Sequence, residues 1–329
     1  MRVEFTSQGI YLPEIDLWLD PQEGQAWAWI SHAHSDHARG VHGHVIGTPA
    51  SLEIYRLRWP VSAQAPQASL PLSYGSTLEL RGARLTCLPA AHILGSAALL
   101  VEYGGERLIY TGDIKLRLPL CGAETALPCC DRLIIESTFG LPLFHFLDAD
   151  AAQRQILDAA REALEQGLTP VFAGYPLGRG QEIAHVLTQG GIPTVVHGQI
   201  ARFIPLYEQY GFQFPGWERY RAGLLEGRAV VIPSSFCRSL EAASDRLHFI
   251  YVSGWAALER SRKRVGVQEL IPYSDHADYE ELLKLVELMS PAQVDIVHGY
   301  SEELARMLRR HGYNAVARPQ AMRAAAAEE

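Results

Sequence analysis

The chain lacks the long apolar runs, the paired cysteines and the basic surplus that would each assign a class at once. No stretch approaches the roughly 18 apolar residues of a membrane-spanning helix, and the opening "MRVEFTSQGIYLPEID" holds no apolar segment of signal-peptide length. Its five cysteines (Cys87, Cys121, Cys129, Cys130, Cys237) are odd in number and show no C-x-x-C spacing. A disulfide framework is therefore not expected, nor a cysteine-built zinc site, and reduced thiols in a cytoplasmic protein are. A formal net charge of −8 speaks against a broad basic face for nucleic acid. It leaves room for a local basic stripe, and metal ions can supply positive charge where a phosphate sits. No internal repeat is evident. Low complexity is confined to the tail "AMRAAAAEE", expected to fray or to end a helix.

What is present is 329 residues of ordinary globular composition, 48% hydrophobic and 20% charged, enough for one large α/β domain or two smaller ones. Up to about residue 140 the texture is short strands and loops: "AWAWI", "ARLTCL", "ALLVEYG" and "RLIYTG", bounded by Gly, Pro and polar turns. From about 150 it changes. "AAQRQILDAAREALEQG" puts Ile156, Leu157, Ala160, Ala163 and Leu164 on one helical face, with Gly167 as a stop. Strand "TPVFAG", helix "GQEIAHVLTQGG" and strand "IPTVVHG" follow, then "RAVVIPSS" and "LHFIYVSG". That alternation predicts βαβ units on a parallel sheet. Helix "ADYEELLKLVELM" (capped by Asp278 and Glu281), strand "AQVDIVHG", helix "SEELARMLRRHG" and strand "YNAVARP" complete the chain. The expected organisation is a sandwich domain interrupted by a smaller α/β domain, with segments 1–145, 146–250 and 251–329.

The densest chemistry is in "ISHAHSDHARG", where His32, His34, Asp36 and His37 fall within six positions after an apolar strand. Imidazole and carboxylate suit zinc or manganese, and residues two apart on an extended turn can converge on one ion. "PAAHILGSA" adds His92 in a loop after a strand. "LIYTGDIK" adds Asp113 at a strand end beside Gly112, and "DIVHGY" adds His298 before Gly299. Such a set is what a two-metal hydrolase needs: ions about 3.5–4 Å apart that activate a water and clamp the attacked group.

These motifs, in this order, resemble the metallo-β-lactamase fold superfamily. The resemblance implies an α/β fold, an αββα sandwich with metals at one edge of its two sheets. It implies His32, His34 and His92 on one divalent ion, Asp36, His37 and His298 on a second, and Asp113 bridging them, with zinc, manganese or both as the metal. Asp20 in "LWLDP" matches the early motif aspartate that orients the ligands from behind, with Asp16 as the alternative.

"RLIIESTFG" places Glu136 at the end of an apolar strand, where a carboxylate is costly unless paired, and "IPYSDHADY" places His276 in a polar turn before a helix. With roughly a hundred residues of α/β texture between them, the chain resembles the β-CASP branch, nucleases with an inserted cap domain. There Glu136, His276 and His298 match the three motifs that follow the first domain, and the resemblance makes His276 the general acid, oriented by Glu136. A carboxylate neighbour favours imidazolium, and an alkoxide leaving group needs a proton. "FAGYPLGRGQEI" is similar to the cap motif that faces the metal cleft, so Arg179 and Gln181 at a helix start are candidates for holding phosphate, or for a structural turn. "GRGQ" stands where a lysine-containing version is usual.

"VSGWA", the basic run Arg260, Arg262, Lys263, Arg264, and "IPYSDHADY" with Ser274 resemble one narrower group, the bacterial exonucleases associated with a DNA ligase and a helicase. The basic run is either a solvated surface or a DNA-backbone contact. The remaining histidines have no ligand spacing, although His42 and His44 lie near enough to the first motif to touch substrate. The leading expectation is a cytoplasmic, metal-dependent DNA exonuclease of repair acting on single strands or ends. An RNA-processing ribonuclease is the alternative, since the same motifs serve RNA. A small-molecule hydrolase would lack the Glu136/His276 pair, and an inactive scaffold would have broken ligand motifs.

Overall fold

Alternating apolar residues in the first 71 positions build one half of a sandwich. In the computed structural model, which describes residues 1–58, 68–221, 225–241 and 246–318, six short strands lie side by side in chain order. They are β1 (Glu4–Thr6), β2 (Gly9–Leu12), β3 (Leu17–Leu19), β4 (Trp27–Trp29), β5 (His44–Gly47) and β6 (Ala68–Pro71). The first three pair antiparallel and the rest parallel. Helix α1 (Pro49–Arg58), a departure from the strand-and-loop expectation, covers this sheet. Its Leu52 and Tyr55 pack on Ile30 and Val45, and the Tyr55 hydroxyl donates to Gly40 O.

The second sheet begins with an antiparallel run of β7 (Thr77–Leu80), β8 (Ala83–Pro89), β9 (Ala97–Tyr103) and β10 (Glu106–Tyr110), and turns parallel at β11 (Arg132–Glu136). Leu12, Leu17, Leu19, Trp29 and Ile46 of the first sheet share a core with Leu85, Leu99, Val101, Leu108 and Ile134 of the second. The two sheets are therefore the middle layers of a sandwich.

The chain then enters a second unit, which comprises residues Pro119–Cys121 and Leu143–Asp275. Helices α2 (Ala149–Glu165) and α3 (Arg179–Gln189) flank β12 (Thr169–Gly174); then come β13 (Thr194–Val196), α4 (Gly198–Ala201), α5 (Ile204–Gln209), β14 (Glu218–Arg219), β15 (Ala229–Pro233), α6 (Cys237–Glu241), β16 (Leu247–Val252), α7 (Arg260–Val265) and β17 (Glu269–Ile271). The six strands form one wholly parallel sheet in the order β14-β13-β15-β12-β16-β17. The unit reaches Asp275, not residue 250, because β16 pairs with β12 and β17 pairs with β16, which commits both to this sheet.

The first unit resumes at His276 with α8 (Tyr279–Met289), β18 (Gln293–Val297), α9 (Ser301–Arg310) and β19 (Ala315–Ala317). Asp278 accepts from Glu281 N at 3.0 Å and its own N–H donates to Glu281 Oε2 at 3.1 Å, the expected capping box. β18 and β19 extend the second sheet beyond β11. Leu282, Leu285, Val286 and Met289 of α8 and Leu304 and Leu308 of α9 cover it, completing an αββα stack within this unit. The tail beyond 318 lies outside the described residues.

The turn after β18 constrains one backbone position sharply. Gly299 has φ +51°, and a Cβ there would stand 2.2 Å from Ser137 O. Gly299→Ala should lower stability by more than about 1 kcal/mol, seen as a reduced urea midpoint at unchanged slope.

Candidate metal centre

Five strand ends of the first unit deliver the chemistry. β8 is antiparallel to β9 and β9 to β10, while β10, β11 and β18 are mutually parallel. The C-terminal ends of β8, β10, β11 and β18 thus lie along one edge of the second sheet. His92 follows β8, Asp113 follows β10, Glu136 ends β11, His298 follows β18 directly, and the "HAHSDH" loop follows β4.

The side chains converge on one carboxylate oxygen. Asp113 Oδ2 lies 3.5 Å from His32 Nε2, 3.7 Å from His92 Nε2, 3.3 Å from His37 Nε2 and 4.0 Å from His276 Nδ1. His92 Nε2 faces His34 Nδ1 at 3.1 Å. Ligands held tetrahedrally at about 2.1 Å from an ion stand about 3.4 Å from one another, so His32, His34, His92 and Asp113 have the spacing of one metal's donor set. His32 Nε2 is fully buried with no hydrogen-bond partner among the described residues, which a metal would resolve. On the other side of Asp113, His37 Nε2 lies 3.8 Å from Asp36 Oδ2, and the His37 and His298 rings are 5.3 Å apart. This second set is looser, and Asp36 and His298 are partly exposed. The donors are those that suit zinc or manganese.

Behind the cluster, Asp20 accepts from Ser31 N at 2.7 Å and Ser31 Oγ at 2.5 Å, from Tyr110 Oη at 2.8 Å, and pairs with His37 Nδ1 at 2.7 Å. Asp16 instead binds Tyr11 and Arg81, so Asp20 is the aspartate at the cluster. Ser31 and Tyr110 were not singled out from sequence; their only signal is adjacency to His32 and to the Thr111-Gly112-Asp113 turn.

Glu136, 1% exposed, is satisfied by Ile114 N at 2.8 Å, Thr138 N at 3.2 Å and His276 Nδ1 at 2.9 and 3.0 Å. Ala277 N donates to Ile114 O, and Glu281 Oε1 accepts from the backbone of Leu116 and Arg117. The segment after Asp113 is thereby stapled to the start of α8, which fixes His276 beside it.

Gln181 is wholly buried; its Oε1 accepts from Gly178 N and its Nε2 donates to Pro176 O and Ile200 O. Arg179, also buried, binds Glu182, lies 3.5 Å from Asp275 and stacks on Tyr273. Both residues hold the start of α3. Ser274 is buried in the same unit. Arg262 is occupied by Glu259 and Gln268 O, whereas Arg260, Lys263 and Arg264 are exposed on α7. His42 is buried against Gln25 N, and the half-exposed His44 stacks on Trp27.

Residues 262–319 match the family model described as RMMBL, the Zn-dependent metallo-hydrolase RNA specificity domain. The chain is 33% identical over 316 residues to a "Probable DNA ligase" of Opitutus terrae, covering 94% of this chain and 30% of that protein. It is 34% identical over 133 residues to an "RNase J-like protein" of Methanocaldococcus jannaschii, covering 37% of this chain and 31% of that one. It is 30% identical over 143 residues to an "Uncharacterized protein in lig 3'region" of Acidianus ambivalens, covering 43% of this chain and 98% of that protein. The chain spans about a third of the length of the first two. Stacked sheets, a buried His/Asp cluster suited to metal ions and these likenesses are those of the Zn-dependent metallo-hydrolase family. The chain belongs to the β-CASP branch of the metallo-β-lactamase fold, related to its ligase-associated members.

Burial and the mutual charges shift the cluster's groups in opposite directions. Burial holds His32 well below its ordinary 6.5, helped by His37 and His92, and burial with His37 also lowers His298. Burial opposes the charge on His37 too, but Asp113 and Asp36 prevail and hold it well above 6.5. Burial would raise Asp113, yet His37 and His276 bring it well below 3.8. The raised His37 contributes stability that is present below 6.5 and lost as pH rises through its folded value. The lowered His32 and His298 refuse protons that the unfolded chain accepts, so stability falls as pH drops below 6.5; Asp113 adds a loss as pH falls through 3.8 and below. Thermal midpoints in chelator should peak near pH 6.5, and His37→Asn should flatten the alkaline side of that profile.

Proposed function

We propose that the chain is a metal-dependent phosphodiesterase that acts as a DNA exonuclease in repair. The observation that carries this reading is the Glu136–His276 pair, set 4.0 Å from the Asp113 oxygen on which the histidines converge. His32, His34, His92 and Asp113 would hold one divalent ion, and Asp36, His37, His298 and Asp113 a second. Bound there, zinc or manganese supplies Lewis acidity toward the phosphoryl oxygens and a water made acidic at neutral pH. Glu136 holds Nδ1 of His276, so the proton given to the departing oxygen leaves from Nε2. Two backbone N–H groups and this imidazole satisfy the buried Glu136 carboxyl group. The wholly parallel second unit is read as the inserted β-CASP domain, with Arg260, Lys263 and Arg264 as backbone contacts for a strand.

DNA is favoured by the relatives whose printed names point to a DNA ligase and to a lig region, with a ligase and a helicase as the partners expected in such a pathway. RNA is the second reading, supported by the description of the model matched at 262–319 and by the RNase J-like relative. End-labelled single-stranded DNA and RNA of one sequence, in equal-molar competition with zinc or manganese, separate the two. His276→Ala should slow cleavage by about 10²–10⁴-fold and Asp113→Ala should abolish it. Preference for RNA would reject the DNA assignment, and variants that cleave like wild type would reject the mechanism.

A further inference from the structure

Ser31 is 1% exposed, and each of its polar groups is used. Its N–H donates to Asp20 Oδ1 and its carbonyl accepts from Ala97 N. Its hydroxyl lies 2.5 Å from Asp20 Oδ2 and 3.0 Å from His32 Nδ1. A hydroxyl has one proton and a carboxylate offers only acceptors, so the Ser31 proton goes to Asp20. His32 must then donate to Ser31 from Nδ1, which leaves the Nε2 lone pair aimed toward Asp113. His37 makes the same arrangement directly, with Nδ1 on Asp20 Oδ2 and Nε2 toward Asp113. Tyr110 can likewise only donate to Asp20, and it stands three residues before Asp113. Gly112 between them has φ +56°, and a Cβ there would meet Ser31 Cβ and Oγ at 2.5 Å, so the turn carrying Asp113 rests on Ser31.

We infer that Ser31 and Tyr110 are positioning residues, through which the one carboxylate of Asp20 sets the tautomer and aim of both histidines that flank Asp113. The inference rests on the metal-holding reading above. Ser31 relays the anchor to the His32 half of the site, His37 receives it unaided, and Tyr110 holds the anchor for both while tying it to the Asp113 strand. The two halves therefore share one anchor, and only the His32 half depends on Ser31 to reach it.

The full-length chain allows a test with two readouts. Zinc affinity is measured by competition with a chromophoric chelator, and histidine tautomers by long-range ¹H–¹⁵N spectra of the metal-free protein. Wild type should bind two equivalents and show His32 protonated at Nδ1. Ser31→Ala should weaken one equivalent by about 10–100-fold, leave the other near wild type, and shift His32 toward the Nε2–H form. Tyr110→Phe should weaken both equivalents, and Asp20→Asn should do so more strongly. Wild type protonated at Nε2 of His32 overturns the relay even if the Ser31 variant fails to fold. Normal zinc binding with unchanged affinities and tautomers in the variants overturns it also. No zinc binding by wild type rejects the metal reading instead, while its tautomer still judges the hydrogen-bond chain.

Discussion

Burying the Asp113 carboxylate among histidines is the constraint around which the first unit is arranged. Removing a charge from water costs several kcal/mol, recovered only if opposite charge and hydrogen bonds meet it in good geometry. Four imidazoles face Asp113 Oδ2 within 4.0 Å, three of them in near-complete burial. Such neighbours cannot all be charged, which is why burial and mutual repulsion favour a neutral His32 while Asp113 and Asp36 favour the charged form of His37. A divalent cation would relieve both problems by taking lone pairs and supplying the positive charge. The surrounding fold reads as support for this cluster: glycine where the turn presses on Ser31, strand ends aligned on one edge, and carboxylates behind two of the rings.

Those two carboxylates do similar things with different outcomes. Asp20 holds Nδ1 of His37 and Glu136 holds Nδ1 of His276, at 2.7 and 2.9 Å. Each fixes one nitrogen and so dedicates the other. What separates the roles is position: His37 Nε2 looks at the shared carboxylate oxygen, whereas His276 approaches that oxygen with Nδ1 and lies 4.5 Å from the His92 ring. A histidine whose Nδ1 is held by a carboxylate has only Nε2 left to give or take a proton.

How much of this was readable from the chain depended on how local each feature is. Four donors within six residues announce themselves, and His92, Asp113 and His298 are recognisable because each follows an apolar strand and has a glycine within three positions. Tyr110 is different: it looks like the last core residue of "RLIY", and only its contact with Asp20, ninety residues earlier, gives it a role. Arg179 and Gln181 differ in another way. A helix start with a cation and an amide suggests an anion site, but the sequence does not show that the start of α3 is buried, or that Glu182 within the same turn takes the guanidinium. Helix α1 escaped because ten residues beginning with proline carry too short a period. Strand β17, three residues long, escaped for the same reason, and with it the true end of the second unit.

The place where the second unit interrupts the first follows from sheet geometry. β11 and β18 are parallel neighbours, with Glu136 in register with Val297. Parallel neighbours cannot be joined by a hairpin; they need a crossover of a dozen or more residues, here already containing α8. Lengthening a connection that must be long adds little closure entropy, since each doubling costs only about 0.6 kcal/mol. An independently packed sheet of residues 143–275 can therefore sit inside that crossover without disturbing the strand pairing on either side. The same insertion point lies directly between the two residues it must not separate. Glu136 ends the strand before it and His276 is the first residue after it, yet their side chains meet at 2.9 Å. The Glu136–His276 contact thus also closes the loop that contains the second unit, and forming it requires the chain to return to the edge it left.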